Sequence, residues 1–129
     1  MFDNQLVSIV LPCYNGADHL AASIESCIAQ TYSNWELIIV NDCSKDNSLE
    51  IMKAYESKDS RIRVIDNEKN LKLPGALNRG FSETKGLYLT WTSHDNRMAP
   101  TMIEEMVSYF DAHPGIGLVT ANYAAFSLT

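Results

Sequence analysis

Short apolar runs alternate along this chain with longer stretches of helical periodicity, and this alternation predicts its secondary structure. Leu6–Leu11 and Leu37–Val40 are apolar runs rich in β-branched residues, which is typical of parallel strands covered on both faces. Arg61–Asp66 alternates charged and apolar residues and predicts a strand nearer an edge of the sheet. Leu87–Trp91 predicts a fourth strand and Ile116–Tyr123 a fifth.

Four helices are predicted between these strands. The first begins at Asp18, Asp46 or Asn47 caps the second, Pro74 lies in the first turn of the third, and the fourth begins at Pro100. Apolar residues recur at helical spacing in each helix, which predicts one buried stripe per helix. The stripes are Leu20, Ile24, Cys27 and Ile28; Ile51, Met52 and Tyr55; Leu73, Leu77 and Phe81; and Met102, Ile103, Met106, Val107 and Phe110.

Local signals predict where several of these elements begin and end. Pro12 cannot donate a ladder hydrogen bond and is expected to end the first strand. Gly86 is expected to end the third helix, and Thr101 and Glu104 have the spacing of a capping box at the start of the fourth.

The order of elements predicts the fold class. Strands that alternate with helices indicate an α/β domain, a three-layer α/β/α sandwich around a mostly parallel sheet. The chain has 129 residues, 46% of them hydrophobic and 20% charged, which is enough for one domain with its own core. We therefore expect residues 1–129 to form a single domain.

Charge and cysteine content narrow the classes of function. The formal net charge of −6 argues against a nucleic-acid binder, because such proteins carry a basic face. Three cysteines at irregular spacing fit neither a disulfide framework nor a Cys-x-x-Cys metal site, so free thiols in a reducing compartment are expected. The sequence has no run long enough to span a bilayer and no basic-then-apolar leader, which predicts a cytoplasmic location.

Polar residues follow three of the predicted strands, at the ends where ligands bind in α/β sheets. These segments are residues 12–16, 41–46 and 92–96, and parallel strands bring their ends to one rim. Tyr14 could hold a flat base, Asp42 could accept a ring N–H, and Asp95 could hold a cation on phosphates. An alternative is that Asp42 and Ser44 only shape a turn and cap a helix.

The usual phosphate-binding motifs are missing. Gly75 and Gly80 are followed by Phe-Ser rather than by Lys and Ser or Thr, and no Gly-x-Gly-x-x-Gly follows the first strand. A divalent cation, Mg²⁺ or Mn²⁺, helped by Lys72 or Arg79, is the remaining way to meet phosphate charge.

These segments resemble those of a known enzyme family. Residues 7–15, 26–32 and 35–46, then Asn70-Leu71-Lys72 with Gly75, Asn78 and Gly80, and residues 86–100 resemble the family 2 glycosyltransferases in order and spacing. The resemblance implies a GT-A fold of the Rossmann-like kind. It also implies metal-assisted inverting transfer from a nucleotide-sugar, a UDP-sugar above all, to a glycan or lipid-linked acceptor in polysaccharide biosynthesis.

The resemblance also implies roles for individual residues. Pro12 and Tyr14 are similar to residues that contact the uracil and ribose, Asp42 to the carboxylate that reads the uracil ring, and Asp95 to the last aspartate of a metal-binding Asp-x-Asp element. The complete predicted nucleotide-binding set is Pro12, Tyr14, Asn15, Asp42, Lys72, Asn78, Ser93 and His94, with Asp95 at the metal.

Departures from the family pattern at two motifs leave other functions open. Asn41 precedes Asp42 where the family usually has a second aspartate, and His94 precedes Asp95 where another is frequent; Thr92 also occupies a position that is often acidic. Fewer carboxylates should weaken cation binding, although His94 could itself ligate or donate to an oxygen. The alternatives are a non-catalytic nucleotide-binding or interaction module of the same fold and a nucleotidyltransferase-like domain.

In the resembled family, the acceptor pocket and the catalytic base lie beyond the region that this chain covers. We therefore predict no catalytic residue here, and we expect the chain alone to bind donor without turnover. In the full-length protein the domain is expected at the inner face of the membrane. An unfinished sheet edge would also allow self-association.

Overall fold

The computed structural model describes residues 4–121 of the chain. Its elements follow the order β1 (Val7–Cys13), α1 (Ala17–Ile28), β2 (Trp35–Asn41), α2 (Ser48–Lys58), β3 (Ile62–Asp66), α3 (Lys72–Phe81), β4 (Tyr88–Trp91) and α4 (Met102–Ala112). The four strands pair in parallel in the order β3-β2-β1-β4. The predicted α/β class with a mostly parallel sheet is confirmed, and β3 lies at an edge as expected.

The sheet is covered on both faces, which gives the three predicted layers. One face of β1 and β2 packs against α1, α2 and α4, where Leu20, Met52 and Ile103 belong to the main core. The opposite face, including Val10 and Ile38, packs against α3. Side chains of a strand alternate between faces, so the continuous apolar run of each central strand supplies both layers.

Pro12 does not end the first strand, contrary to the prediction. β1 continues to Cys13, and Pro12 pairs in register with Val40. The carbonyl of Val10 accepts a hydrogen bond from the N–H of Thr92, which directly follows β4. Every second residue of a strand directs its backbone groups to the same neighbouring strand, so the backbone nitrogen of Pro12 also faces the β4 side. β4 ends at Trp91 opposite Val10, and the missing N–H therefore costs the sheet little.

The third helix is also placed differently from the prediction. It ends at Phe81, and Gly86 instead lies against β1, where a Cβ would approach Ser8 Oγ to 2.6 Å. Ala76 and Gly80 are the buried residues of α3, whereas Leu73 is 50% exposed. The small residues let the helix lie close to the sheet, so its stripe is shifted away from Leu73.

Two further predictions fail at the carboxyl-terminal part. Thr101 precedes α4 without a side-chain capping bond, and Glu104 accepts a hydrogen bond from the Thr31 hydroxyl at 2.6 Å instead of closing a capping box. Residues 116–121 form no strand, and the end of that predicted strand, Tyr123, lies outside the described residues. In residues 4–121 no helix combines the length and apolar character that crossing a membrane requires.

Candidate functional site

The carboxyl ends of the strands meet at one edge of the sheet. Parallel register places Cys13 beside Asn41 and Asn41 beside Asp66, while Trp91 ends β4 opposite Val10. The segments that follow β1, β2 and β4 are the three that carry the predicted polar residues. The topology therefore brings them to a shared rim, as parallel strands require.

A cavity of about 440 Å³ opens at this rim, between the ends of β1 and β4 and the beginning of α3. Its walls combine apolar and aromatic side chains with a few polar groups, which is typical of a small-molecule site. The lining residues are Pro12, Cys13, Tyr14, Asp42, Asn70, Lys72, Leu73, Ala76, Trp91, Ser93 and His94. Six of the eight residues predicted to bind nucleotide thus surround one space.

The other three predicted site residues lie outside this lining. Asn15 lies in the loop after β1, where its side-chain oxygen accepts the N–H of Lys45 at 2.8 Å. Asn78 is exposed on α3 and does not line the cavity. Asp95 is exposed, and its Oδ1 accepts a 2.7 Å hydrogen bond from the Ser93 hydroxyl, so it stands immediately beside the lining.

A larger hollow elsewhere lacks suitable chemistry. It measures about 600 Å³ and lies between β4, α4 and residues 113–119. Its lining contains no carboxylate, lysine or arginine, whereas the rim cavity contains both Asp42 and Lys72. The rim cavity is therefore the better candidate for a charged ligand.

Asp42 is the most constrained polar residue of the cavity. It is 3% exposed, and its Oδ1 accepts hydrogen bonds from Asn67 Nδ2 at 3.0 Å and from the Leu71 N–H at 2.8 Å. Two donors on one oxygen fix the carboxylate at the cavity wall. The alternative role for Asp42, that of only shaping its own turn, does not account for these partners from the β3–α3 loop.

Side chains of the β2–α2 loop hold the loop after β1. The N–H groups of Asn15, Gly16 and Ala17 donate to Ser44 Oγ, Ser48 Oγ and Asp46 Oδ2 at 3.0–3.1 Å. Asp46 Oδ1 also accepts the Ser48 N–H and hydroxyl. These contacts fasten the first two strand ends to each other.

The same contacts occupy several N–H groups that could otherwise bind an anion at the rim. A helix start binds phosphate through free N–H groups, but the groups before α1 already have side-chain acceptors. At the start of α3 the Leu71 N–H donates to Asp42 and the Lys72 N–H to Asn70 Oδ1 at 2.9 Å. These N–H groups are not free for a phosphate, so its charge would be met by side chains such as Lys72 and by a cation.

The loop contacts of Asp46 give a pH-dependent stability. Its hydrogen bond from Ser48 lowers the pKa of Asp46, so the contribution is complete above the unfolded pKa near 4 and is lost as pH falls through the lower folded value. We expect Asp46→Asn to cost about 1 kcal/mol at pH 7 and to flatten the fall in unfolding free energy below pH 4. Urea unfolding between pH 7 and 2.5 measures this, and Asp18→Asn is the control carboxylate. An equal pH slope in wild type and Asp46→Asn would contradict the assignment.

His94 and Asp95 form a second polar group beside the cavity. The ring of His94 lies against Gly16, where a Cβ would be 2.5 Å from its Cγ and Cδ2, so this position needs glycine. The Ser93 hydrogen bond, and to a lesser degree the nearby His94, lowers the pKa of Asp95. Both contacts favour the ionised form of Asp95, which is the form that binds a cation.

The arrangement fits a cation shared with a ligand rather than one enclosed by protein. Among residues 4–121 there is no group of three or more His, Cys, Asp or Glu side chains that could hold a metal. Mg²⁺ is commonly held by one or two carboxylates together with substrate phosphates, and Asp95 can supply one carboxylate. Thr92 is 5% exposed and does not line the cavity, so Ser93 is the hydroxyl residue that accompanies Asp95.

Several residues in and around the cavity were not predicted from sequence. Asn67 and the backbone of Leu71 hold Asp42, while Trp91 and Leu73, which we assigned to a strand and a core stripe, form exposed walls. The sequence around these residues does not indicate their roles, because the residues that they contact are distant in sequence. A structural signal does exist: the non-glycine residues with positive φ are Asn15 at 52°, Cys43 at 66° and Lys72 at 63°, all around this rim, within residues 4–121.

Comparison with known proteins agrees with this geometry. The model of the family "Glycosyl transferase family 2" matches residues 8–128, nearly the whole chain. The chain belongs to glycosyltransferase family 2.

Relatives of this family-2 chain are named as glycosyltransferases too. An uncharacterized glycosyltransferase of Rickettsia felis is 44% identical over 103 residues, which cover 80% of this chain and 17% of that protein. Glycosyltransferase GlyG of Streptococcus pneumoniae is 39% identical over 103 residues, covering 80% of this chain and 34% of GlyG. The chain thus spans about a third or less of these relatives.

Solved glycosyltransferases share the fold of this family-2 chain. TarS 1-349 of S. aureus in complex with UDP-GlcNAc superposes with a TM-score of 0.77 at 22% identity, over 88% of this chain and 37% of that one. The mannosyltransferase PcManGT of Pyrobaculum calidifontis, in complex with GDP-Man and Mn²⁺, gives a TM-score of 0.77 at 19% identity, over 86% and 33%. The expected GT-A fold is confirmed.

Proposed function

We propose that this chain is the donor-binding part of an inverting glycosyltransferase that uses a nucleoside diphosphate sugar, with a UDP-sugar as the foremost candidate. The observation that carries the proposal is the rim cavity, where a buried carboxylate, an aromatic side chain and a lysine meet in a chain of this family. The volume of about 440 Å³ lies in the range of small-ligand pockets.

Each part of a nucleotide-sugar has a matching group around the cavity. Tyr14, 44% exposed, offers a flat face to the base, Pro12 lines the same cavity, and Asp42 accepts a base N–H. Lys72 and His94 provide donors for ribose or phosphate oxygens, and the Ser93 oxygen, whose O–H donates to Asp95, can accept from a ribose hydroxyl. The proposed nucleotide roles of Asn15 and Asn78 have less support, since neither lines the cavity.

Asp95 is the proposed ligand for Mg²⁺ or Mn²⁺ on the diphosphate. PcManGT, which shares the fold, is in complex with both GDP-Man and Mn²⁺. Such a cation, when bound, neutralises the charge that develops on the leaving diphosphate. The residues of this chain hold the donor: Asp95 anchors the cation side, and the fixed Asp42 holds the base side.

Completion of transfer requires groups beyond those described. In-line attack by an acceptor hydroxyl needs a base within hydrogen-bond reach, and no residue of the rim cavity is proposed for that role. For the full-length protein, we propose a glycan or lipid-linked acceptor and a location at the inner face of the membrane. We also propose that the protein self-associates through the outer edge of β4, where Leu87 and Leu89 are 55% and 54% exposed.

Titration of the purified protein with UDP tests donor binding directly. We expect a dissociation constant between about 1 µM and 1 mM in the presence of Mn²⁺, and weaker binding with EDTA, because the cation links Asp95 to the diphosphate. Calorimetry measures the affinity, and amide shifts at Tyr14, Asp42 and Asn70 locate the site. Absence of heat and shifts with millimolar nucleoside diphosphates would contradict donor binding.

The second candidate is a non-catalytic binding module of the same fold. It is favoured by His94 and Thr92, which occupy positions that are often acidic, and by the lack of a three-residue metal group in residues 4–121. Such a module would bind nucleotide with little dependence on Mn²⁺, so the EDTA comparison separates the two. The nucleotidyltransferase-like alternative has no support from the family match.

A further inference from the structure

The two carboxylate oxygens of Asp42 have different surroundings. Oδ1 accepts both Asn67 Nδ2 and the Leu71 N–H, and a carboxylate oxygen has two lone-pair sites, so Oδ1 is saturated. No donor from residues 4–121 contacts Oδ2, and Asp42 lines the cavity. Asp42 therefore presents one free acceptor to a ligand rather than two.

Asn67 is itself held in place by the ends of two strands. Its backbone N–H donates to the Asn41 carbonyl at 2.9 Å, and Asn41 Nδ2 donates to Asp66 Oδ1 at 2.8 Å. The side-chain amide of Asn67 consequently approaches Asp42 from a fixed backbone position. A ligand would have to break this arrangement to reach Oδ1.

Nucleobases differ in how many donors they offer at the pairing edge. Uracil has one N–H, at N3, between two carbonyl oxygens. Guanine has neighbouring N1–H and N2–H groups, which pair with both oxygens of a free carboxylate. A carboxylate with one available oxygen satisfies the single N–H of uracil but leaves one guanine donor without its partner.

We propose that Asn67 is a positioning residue that sets the base specificity of the donor site. By filling Oδ1 it restricts Asp42 to one N–H and so selects a uracil-type imide over guanine. This inference rests on the proposed function, because it concerns the same nucleotide site. It adds a specificity determinant that does not itself need to touch the base.

The test compares UDP and GDP binding to the purified protein by calorimetry in the presence of Mn²⁺. Wild type is expected to bind UDP on the order of tenfold or more tightly than GDP, since a guanine donor is left unpaired. In Asn67→Ala, Asp42 loses one of the two hydrogen bonds that hold it, so UDP binding should weaken about three- to tenfold. One lone pair of Oδ1 also becomes free for a second base donor, so the preference for UDP over GDP should fall to within about threefold. Glu68→Gln, an exposed neighbour in the same loop, should keep the wild-type ratio.

UDP methylated at N3 provides a probe that needs no variant. It keeps the ring, ribose and diphosphate but lacks the one N–H, so its affinity should fall on the order of tenfold or more. If Asn67 had a purely structural role, its replacement would weaken the binding of UDP and GDP equally and leave the ratio of the two affinities unchanged. Thermal unfolding of each variant monitors the fold.

Three results would overturn the inference and leave the proposed function intact. They are equal or preferential binding of GDP by wild type, an unchanged UDP-to-GDP ratio in Asn67→Ala, and normal binding of the N3-methylated UDP. Absence of binding for every nucleotide would instead reject the proposed function together with the inference.

Discussion

Replacing Asp95 with alanine in the full-length protein is expected to lower the rate of sugar transfer by about 10²- to 10³-fold. An electrostatic group aimed at developing charge in the transition state commonly has an effect of that size. Several N–H groups at the helix starts around the cavity already donate to protein side chains, so they are not free to replace a cation on the diphosphate. The effect should therefore appear in kcat more than in KM.

Release of UDP from the donor at saturating Mn²⁺ measures this effect, with Glu105→Ala as the control. Glu105 is an exposed carboxylate in the first turn of α4 and does not line the rim cavity. In the Asp95 variant, UDP should also bind with equal affinity in Mn²⁺ and in EDTA. Transfer within about threefold of wild type would place the cation, or the chemistry itself, elsewhere.

Replacing Gly80 with alanine is the second large expected effect, and it acts on stability. A Cβ at this buried position of α3 would overlap Val10 Cγ1 and lie 3.1 Å from Val40 Cγ2, both on the central strands. Alanine gains about 1 kcal/mol of helix propensity over glycine, but overpacking a core costs about 1–3 kcal/mol and more where backbone must move. Because the Cβ would overlap Val10 Cγ1, we expect a cost in the upper part of that range, about 2–3 kcal/mol, and hence a net loss of about 1–2 kcal/mol.

Chemical denaturation measures this loss, and two variants control for its cause. Gly117→Ala introduces the same methyl group where nothing lies within 4 Å, and should leave stability within about 0.5 kcal/mol. Val10→Ala combined with Gly80→Ala should lose less than the sum of the single changes, because the smaller side chain makes room. Additive losses would show that the α3–sheet contact is not the cause.

The same contact connects stability to the candidate site. α3 begins at Lys72, directly after the Leu71 N–H that donates to Asp42. A helix lifted from the sheet would move this donor, so Gly80→Ala should also weaken UDP binding. Gly117→Ala should not.

Local pattern predicted the strands and helices well because their signals are short-range. The buried runs of β1 and β2 and the stripe of α1 were all found where expected. Failures occurred where a neighbour in space overrode a local rule. Pro12 remains in a strand because its side of the ladder faces the end of β4, and Glu104 bonds to Thr31 instead of closing a capping box.

The candidate site divides in the same way. Tyr14, Asp42 and His94 could be selected from sequence, because polar residues directly after buried strands are a local signal and the family resemblance adds to it. Asn67 could not, since its importance lies in a hydrogen bond to a residue 25 positions away. Nor could the exposed walls Leu73 and Trp91, whose apolar character predicted core.

The sequence by itself thus determined the order of elements, the parallel α/β class and the strand ends at which ligand chemistry belongs. Hydrophobic periodicity and turn residues act over a few positions, so they can be read along the chain. Only the tertiary structure decided which oxygen of Asp42 remains free and which helix-start N–H groups are already bonded. Those properties arise from strand register and loop contacts between segments that folding alone brings together.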